Sequence, residues 1–120
     1  MSNCALMLEW GSLVDGRETK ALEEFMSSVA WWGEQKKAGK IGDFKIYLPT
    51  TGAFGDRAGF VIFEGSDKQI AELHTSEEFR VRLARASLLV RNIRLNVCDA
   101  GDAIQARMQR TGRAIKDVAG

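Results

Sequence analysis

Proline occurs once in this chain of 120 residues, histidine once, tyrosine once and cysteine twice. One proline leaves no proline-rich linker. The two cysteines, Cys4 and Cys98, stand near opposite ends with no CxxC and no second histidine beside them, so neither a zinc site nor a disulfide framework is indicated. Two reduced thiols are expected, and neither a metal nor a cofactor. Apolar runs are only a few residues long, far short of the ~20 that a membrane helix needs. The opening MSNCALMLEW has no basic stretch followed by an apolar segment and cleavage site. The expectation is a cytoplasmic protein with no membrane partner.

What is present suits one domain over residues 1–120, since 45% hydrophobic residues can fill a single core. The net charge of +1 hides an asymmetry. Residues 1–79 hold 8 Lys/Arg against 13 Asp/Glu, whereas residues 80–120 hold 9 against 3. Attraction between two faces of one protein accounts for that division more simply than an anionic partner does.

Four helix starts are written as an oxygen-bearing side chain followed three residues later by Glu or Gln. Asp15 with Glu18 opens a helix whose apolar stripe is Leu22, Phe25, Met26, Val29 and Trp32, closed by Lys36, Lys37 and Gly39. Ser66 with Gln69 opens a short helix, Thr75 with Glu78 restarts it after His74, and Asp102 with Gln105 opens a last helix of about 102–118. Strand-like segments lie between them at 4–13, 41–49, 57–64 and 91–98. The order is βαββαβ plus a C-terminal helix, the ferredoxin-like α+β plan. The Gly-rich segment 50–56 between strands two and three fits a hairpin. It leads into a strand with no Gly-Lys-Ser/Thr, which makes it a poor phosphate cradle.

Strand alternation divides the sheet into two faces. Leu6, Leu8, Trp10, Phe44, Ile46, Leu48, Val61, Phe63, Ile93, Leu95 and Val97 belong under the helices. The opposite face carries Ala5, Met7, Glu9, Tyr47, Ala58, Phe60, Ile62, Arg94, Asn96 and Cys98, too apolar in its middle to be left wet. A second copy related by a twofold axis is the least demanding cover, with Met7, Tyr47, Phe60 and Ile62 at the dimer interface. Glu9 and Arg94 are expected to pair on that face.

Glu34-Gln-Lys-Lys-Ala-Gly-Lys-Ile41 before strand two, Gly52, Gly55 and Gly59 around the hairpin, and Ser76-Glu-Glu-Phe-Arg80 on the second crossover together resemble a family of uncharacterised bacterial dimeric α+β barrel proteins. That resemblance covers roughly residues 5–110. It implies two sheets closing into a barrel across a dimer, with a cavity in each subunit between sheet and helices. Some relatives are cofactor-free monooxygenases and some degrade haem, but the NWxxH-like motif of the haem-degrading members is absent.

Candidate ligand-binding residues are therefore Trp10, Trp32 and His74. The two rings offer flat apolar surface for a small apolar or aromatic molecule, and the histidine lies at a helix restart where it could act as base or orient a ligand. No catalytic residue is assigned. Trp31, adjacent to Trp32, falls off the core stripe and is expected to meet the C-terminal helix of its own or a partner subunit. On that last helix Ile104, Met108, Thr111, Ile115 and Val118 form a narrow seam flanked by Arg107, Arg110 and Arg113, which should lie across the dimer toward Glu23 and Glu24. Two alternatives remain. One is a structural or protein-interaction module without activity. The other is an RNA-binding domain, suggested by Gly59-Phe-Val-Ile-Phe63, although Asp56, Arg57 and Ala58 break the first half of that signature and nucleic acid is not an expected partner.

Overall fold

A computed structural model describes residues 2–51 and 56–119. The elements are β1 (Cys4–Trp10), α1 (Glu18–Lys37), β2 (Asp43–Tyr47), β3 (Gly59–Gly65), α2 (Asp67–Thr75), α3 (Glu77–Ser87), β4 (Arg94–Asp99) and α4 (Asp102–Ala119). The four strands form one antiparallel sheet in the order β2-β3-β1-β4. With both crossovers helical, this is the ferredoxin-like α+β fold. Four of the hairpin residues, 52–55, lie outside the described residues, and Gly52 and Gly55 of the family resemblance lie there with them.

The register sorts side chains as alternation requires. Leu6 faces Phe63 and Val97 across the sheet, and Leu8 faces Val61 and Leu95, so all lie on one side. Met7 faces Ile62 and Asn96, while Tyr47 faces Phe60, on the other. The core fills the first side, where Leu6, Val61, Phe63, Ile70 and Ile41 are 2% exposed or less. Trp32 sits at its centre, edge-on to Phe63 at 5.2 Å between ring centroids and to Phe44 at 6.0 Å. Edge-to-face rings at such distances add about 0.5–1.5 kcal/mol each beyond the area they bury.

Helix ends follow local chemistry, with two shifts from the sequence reading. At the start of α2, Ser66 Oγ accepts from the Gln69 amide while Gln69 Oε1 accepts from the Ser66 amide, a complete capping box. The cap of α3 is Ser76 rather than Thr75, because Thr75 still belongs to α2 and donates its hydroxyl to the Ala71 carbonyl. Asp15 does not cap α1 either. Arg17 stands at that position without a side-chain cap, and the Gly16 amide instead donates to Glu18. At the other end Gly39 takes φ +74°, letting Lys40 N–H reach the Gln35 carbonyl and Gly39 N–H the Lys36 carbonyl. That pair of bonds closes α1 as a Schellman turn.

The buried side of α1 is rotated from the expected stripe. Ala21, Ser28 and Trp32 are buried, whereas Leu22 and Met26 are 62% and 61% exposed. Small residues let the helix approach its neighbours closely, which swings the two larger ones to the outside. Glu9 also differs from expectation. It is buried and pairs with Arg57 at 3.0 Å, although Arg94 stands opposite it on β4. Within the subunit no residue of α4 is buried, Glu23 pairs with Lys20, and Arg107 pairs with Asp99. Among the described residues, no helix is long and apolar enough to cross a membrane.

Candidate functional site

Between the sheet and the helices lies a cavity of about 270 Å³. The sheet supplies its floor through Leu8 and Trp10, α1 one wall through Ala21, Phe25, Ser28 and Trp32, and α3 the other through Phe79, Leu83 and Ala86. One end is bordered by a chain pairing next to the sheet. Gly11 N–H donates to the Arg91 carbonyl, Arg91 N–H to the Ser12 carbonyl and Val14 N–H to the Leu89 carbonyl, which brings Leu13 beside Val90 and Ile93. Leu13, Leu22 and Leu48 line the cavity and are also exposed, so they form its mouth.

Trp10 owes its position to a missing side chain. A Cβ on Gly59, its partner across the sheet, would come within 2.6 Å of the indole and 2.7 Å of Leu48. Only glycine leaves the ring room to lie there. From that place Trp10 meets Phe25 at 5.8 Å, and Phe25 meets Trp32 at 6.4 Å, a run of three rings along the cavity wall. Two of the three candidate residues are thus brought together. His74 is not with them: it is half-buried in the last turn of α2 and is not among the lining residues.

One polar corner interrupts this lining. Glu24 of α1 is 11% exposed at its side chain and Arg82 of α3 15%. Glu24 Oε2 accepts from Ser28 Oγ at 2.9 Å and lies 3.4 Å from Arg82 Nη1, while its Oε1 lies 3.5 Å from Arg85 Nη1. Arg82 Nη1 also donates to Ser27 Oγ at 3.0 Å, and Arg82 Nε stands 3.3 Å from Glu78 Oε2 without the direction of a hydrogen bond. The guanidinium carbon lies 5.5 Å from the Trp31 ring centroid, a cation–π contact. The off-stripe tryptophan therefore meets α3 of its own subunit. Reading the sequence by apolar stripes missed this corner. The available signal was Arg82 at helical spacing with Phe79, Leu83 and Ala86, facing Glu24 at the same spacing with Ala21, Phe25 and Ser28.

A second, polar depression lies at the opposite end of the sheet, beside Asn3, Asp67, Asp99, Asp102 and Arg110. Cys4 lies near it, and burial, followed by the charge of Asp67, pushes its thiol above the ordinary value. Among the described residues no cluster of histidine, cysteine and carboxylate side chains could hold a metal ion.

No protein-family profile and no curated protein matches the chain. Solved structures do resemble it in fold. An ethyl tert-butyl ether D (EthD) family protein from Bacillus halodurans superposes with a TM-score of 0.62 at 10% identity, over 84% of this chain and 100% of that one. A dimeric ferredoxin-like protein of unknown function from Thermobifida fusca gives 0.61 at 9% identity, over 83% and 93%. A protein of unknown function from Bacteroides thetaiotaomicron, described as a possible oxidoreductase, gives 0.58 at 13% identity, over 83% and 100%. At these identities the likeness defines the ferredoxin-like fold.

Proposed function

We propose that this protein is a homodimer whose subunits each bind a small apolar or aromatic molecule between the sheet and the helices. The observation that carries the reading is the cavity itself: of seventeen lining residues only Glu24, Ser28 and Arg82 are polar or charged, and Trp10, Phe25, Trp32 and Phe79 contribute rings. A concave apolar site with a few convergent polar groups is the usual form of a small-molecule pocket. Trp10 and Trp32 are the binding residues in this proposal, and His74 lies outside it. Dimer formation is supported by the apolar centre of the opposite sheet face, where Met7 and Ile62 lie side by side and Tyr47, 45% exposed, stacks on Phe60 at 5.0 Å. The Thermobifida neighbour is described as dimeric.

The test of the binding reading is a thermal-shift and tryptophan-fluorescence screen of the full chain against one- and two-ring aromatic compounds. Binding is expected to raise the melting temperature and perturb the emission of Trp10 and Trp32. Gly59→Val, which pushes Trp10 out of place, should reduce both responses. A screen in which no aromatic compound shifts either signal would overturn the reading.

A further inference from the structure

We propose that the molecule held in the cavity carries a neutral hydroxyl group on its apolar body, and that Glu24 and Arg82 hold that oxygen. This rests on the cavity reading above and narrows it to a class of ligand: phenols and aromatic or alicyclic alcohols in preference to bare hydrocarbons, carboxylates or amines.

Three observations lead there. First, the polar part of the lining is confined to one corner, with Glu24 and Ser28 on α1 facing Arg82 on α3. A polar group on a bound molecule finds its charged partners here, because elsewhere the wall offers apolar side chains and rings with only the indole N–H groups of Trp10 and Trp32 as donors. Burying it against the apolar side chains would leave it unsatisfied at a cost of about 1–3 kcal/mol.

Second, the corner is electrically balanced. Glu24 and Glu78 stand against Arg82 and Arg85, with the four charges within 3.3–3.9 Å of one another in successive pairs. A carboxylate ligand would add a third negative charge beside the poorly solvated Glu24, and an ammonium would add a third positive charge beside Arg82. An uncharged hydroxyl adds neither.

Third, the pair has spare capacity of both kinds. Glu24 Oε1 meets only the Arg85 guanidinium, at 3.5 Å, among the described residues, so it can accept a further hydrogen bond. Arg82 lines the cavity and makes its hydrogen bonds to the described residues through Nη1 alone, which leaves Nη2 as a donor. A hydroxyl can donate to a carboxylate and accept from a guanidinium at once, and both bonds involve a charged partner. The guanidinium has little freedom to follow a different ligand, since Ser27 and the Trp31 ring fix it from the other side.

Equilibrium dialysis of the full chain at pH 7 with naphthalene, 2-naphthol and 2-naphthoate tests the proposal. The three probes share a two-ring body and differ only in the head. 2-Naphthol should bind about tenfold or more tighter than the other two, the size expected of one hydrogen bond to a charged group. In Glu24→Gln the corner gains a net positive charge, so the preference should turn toward 2-naphthoate while naphthalene binding stays within about twofold. Arg82→Met should erase the difference between naphthol and naphthalene, and circular dichroism checks that each variant is folded. Equal binding of naphthol and naphthalene to the unaltered protein overturns the hydroxyl assignment and leaves the cavity reading standing. Tightest binding of 2-naphthoate likewise overturns it, in favour of an anion site. Binding of none of the three overturns both.

Discussion

The strands β1 and β3 and the edge strand β4 present the same alternation to the same side of the sheet and meet opposite fates. Leu6 and Val61 are 1% and 0% exposed, whereas Leu95 and Val97, which stand directly across from Leu8 and Leu6, are 37% and 58% exposed. Every residue of β4 is exposed and no residue of α4 is buried. The difference lies in what covers each strand. Helices α1 to α3 pack over β2, β3 and β1, and the chain then leaves the edge strand into α4, which does not fold back over the core. Core-like patterning in this last quarter is surface waiting for cover. With Ile104, Met108 and Ile115 also 50–61% exposed along one stripe of α4, the apolar area left bare is more than a lone subunit would be expected to show.

The sharpest way to break this contrast is to truncate equivalent side chains in the two regions. Phe63→Ala should lower the unfolding free energy by about 3–5 kcal/mol in chemical denaturation, the usual cost of an emptied aromatic site in a core. Val97→Ala should cost under about 0.5 kcal/mol, as at an ordinary surface site. A cost for Val97→Ala as large as that of Phe63→Ala would place it in the core and end the contrast.

A chemical probe reads the same difference more gently. Cys4 is buried in the core with its thiol pushed up by burial and by Asp67, whereas Cys98 is exposed on the open sheet face across from Ala5. The thiolate is the reactive form, so iodoacetamide should modify Cys98 and spare Cys4 in the folded protein. Modification of Cys98 should slow as protein concentration rises, because that face belongs to the proposed interface. A rate at Cys98 that does not depend on concentration would remove Cys98 from it.

The smallest expected effect concerns a pair that needs no partner. Lys36 Nζ lies 2.9 Å from Asp43 Oδ1, and the Phe44 amide donates to the same oxygen. The lysine first, and then the amide, hold this carboxyl below its ordinary value of 3.8. The folded state therefore favours the charged form. Its stabilising effect is present above that value and is lost as pH falls through the lower folded value. Asp43→Asn should lower stability slightly from about pH 4 up to neutrality and leave it nearly unchanged at lower pH, which flattens the acid limb of the stability profile. A loss as large at about pH 2 as at about pH 7 would contradict the assignment.

The sheet was legible because period-two alternation survives in β1 to β3, and the capping box of α2 because Ser66 and Gln69 stand at the required spacing. The packing of α1 was less so. Leu22 and Met26 look like core by hydropathy, yet Ala21 and Ser28 face inward, since close helix approach selects for small side chains that a stripe of large residues does not reveal. The floor and one wall of the cavity could be anticipated through Trp10 and Trp32. Its polar corner could not be read from one segment, because Glu24 and Arg82 are 58 positions apart and pair only once α1 and α3 are packed. Charge asymmetry pointed Glu24 toward the basic tail, whereas within the subunit it pairs with the arginines of α3.

Self-association is the property on which this account turns, and sedimentation velocity across nanomolar to high-micromolar protein measures it directly. The account predicts a species of twice the 13.3 kDa chain mass at micromolar concentration, converted to the single subunit by Ile62→Asp with its helical circular dichroism retained. A single 13.3 kDa species throughout that range, stable and undisturbed by Ile62→Asp, would contradict it.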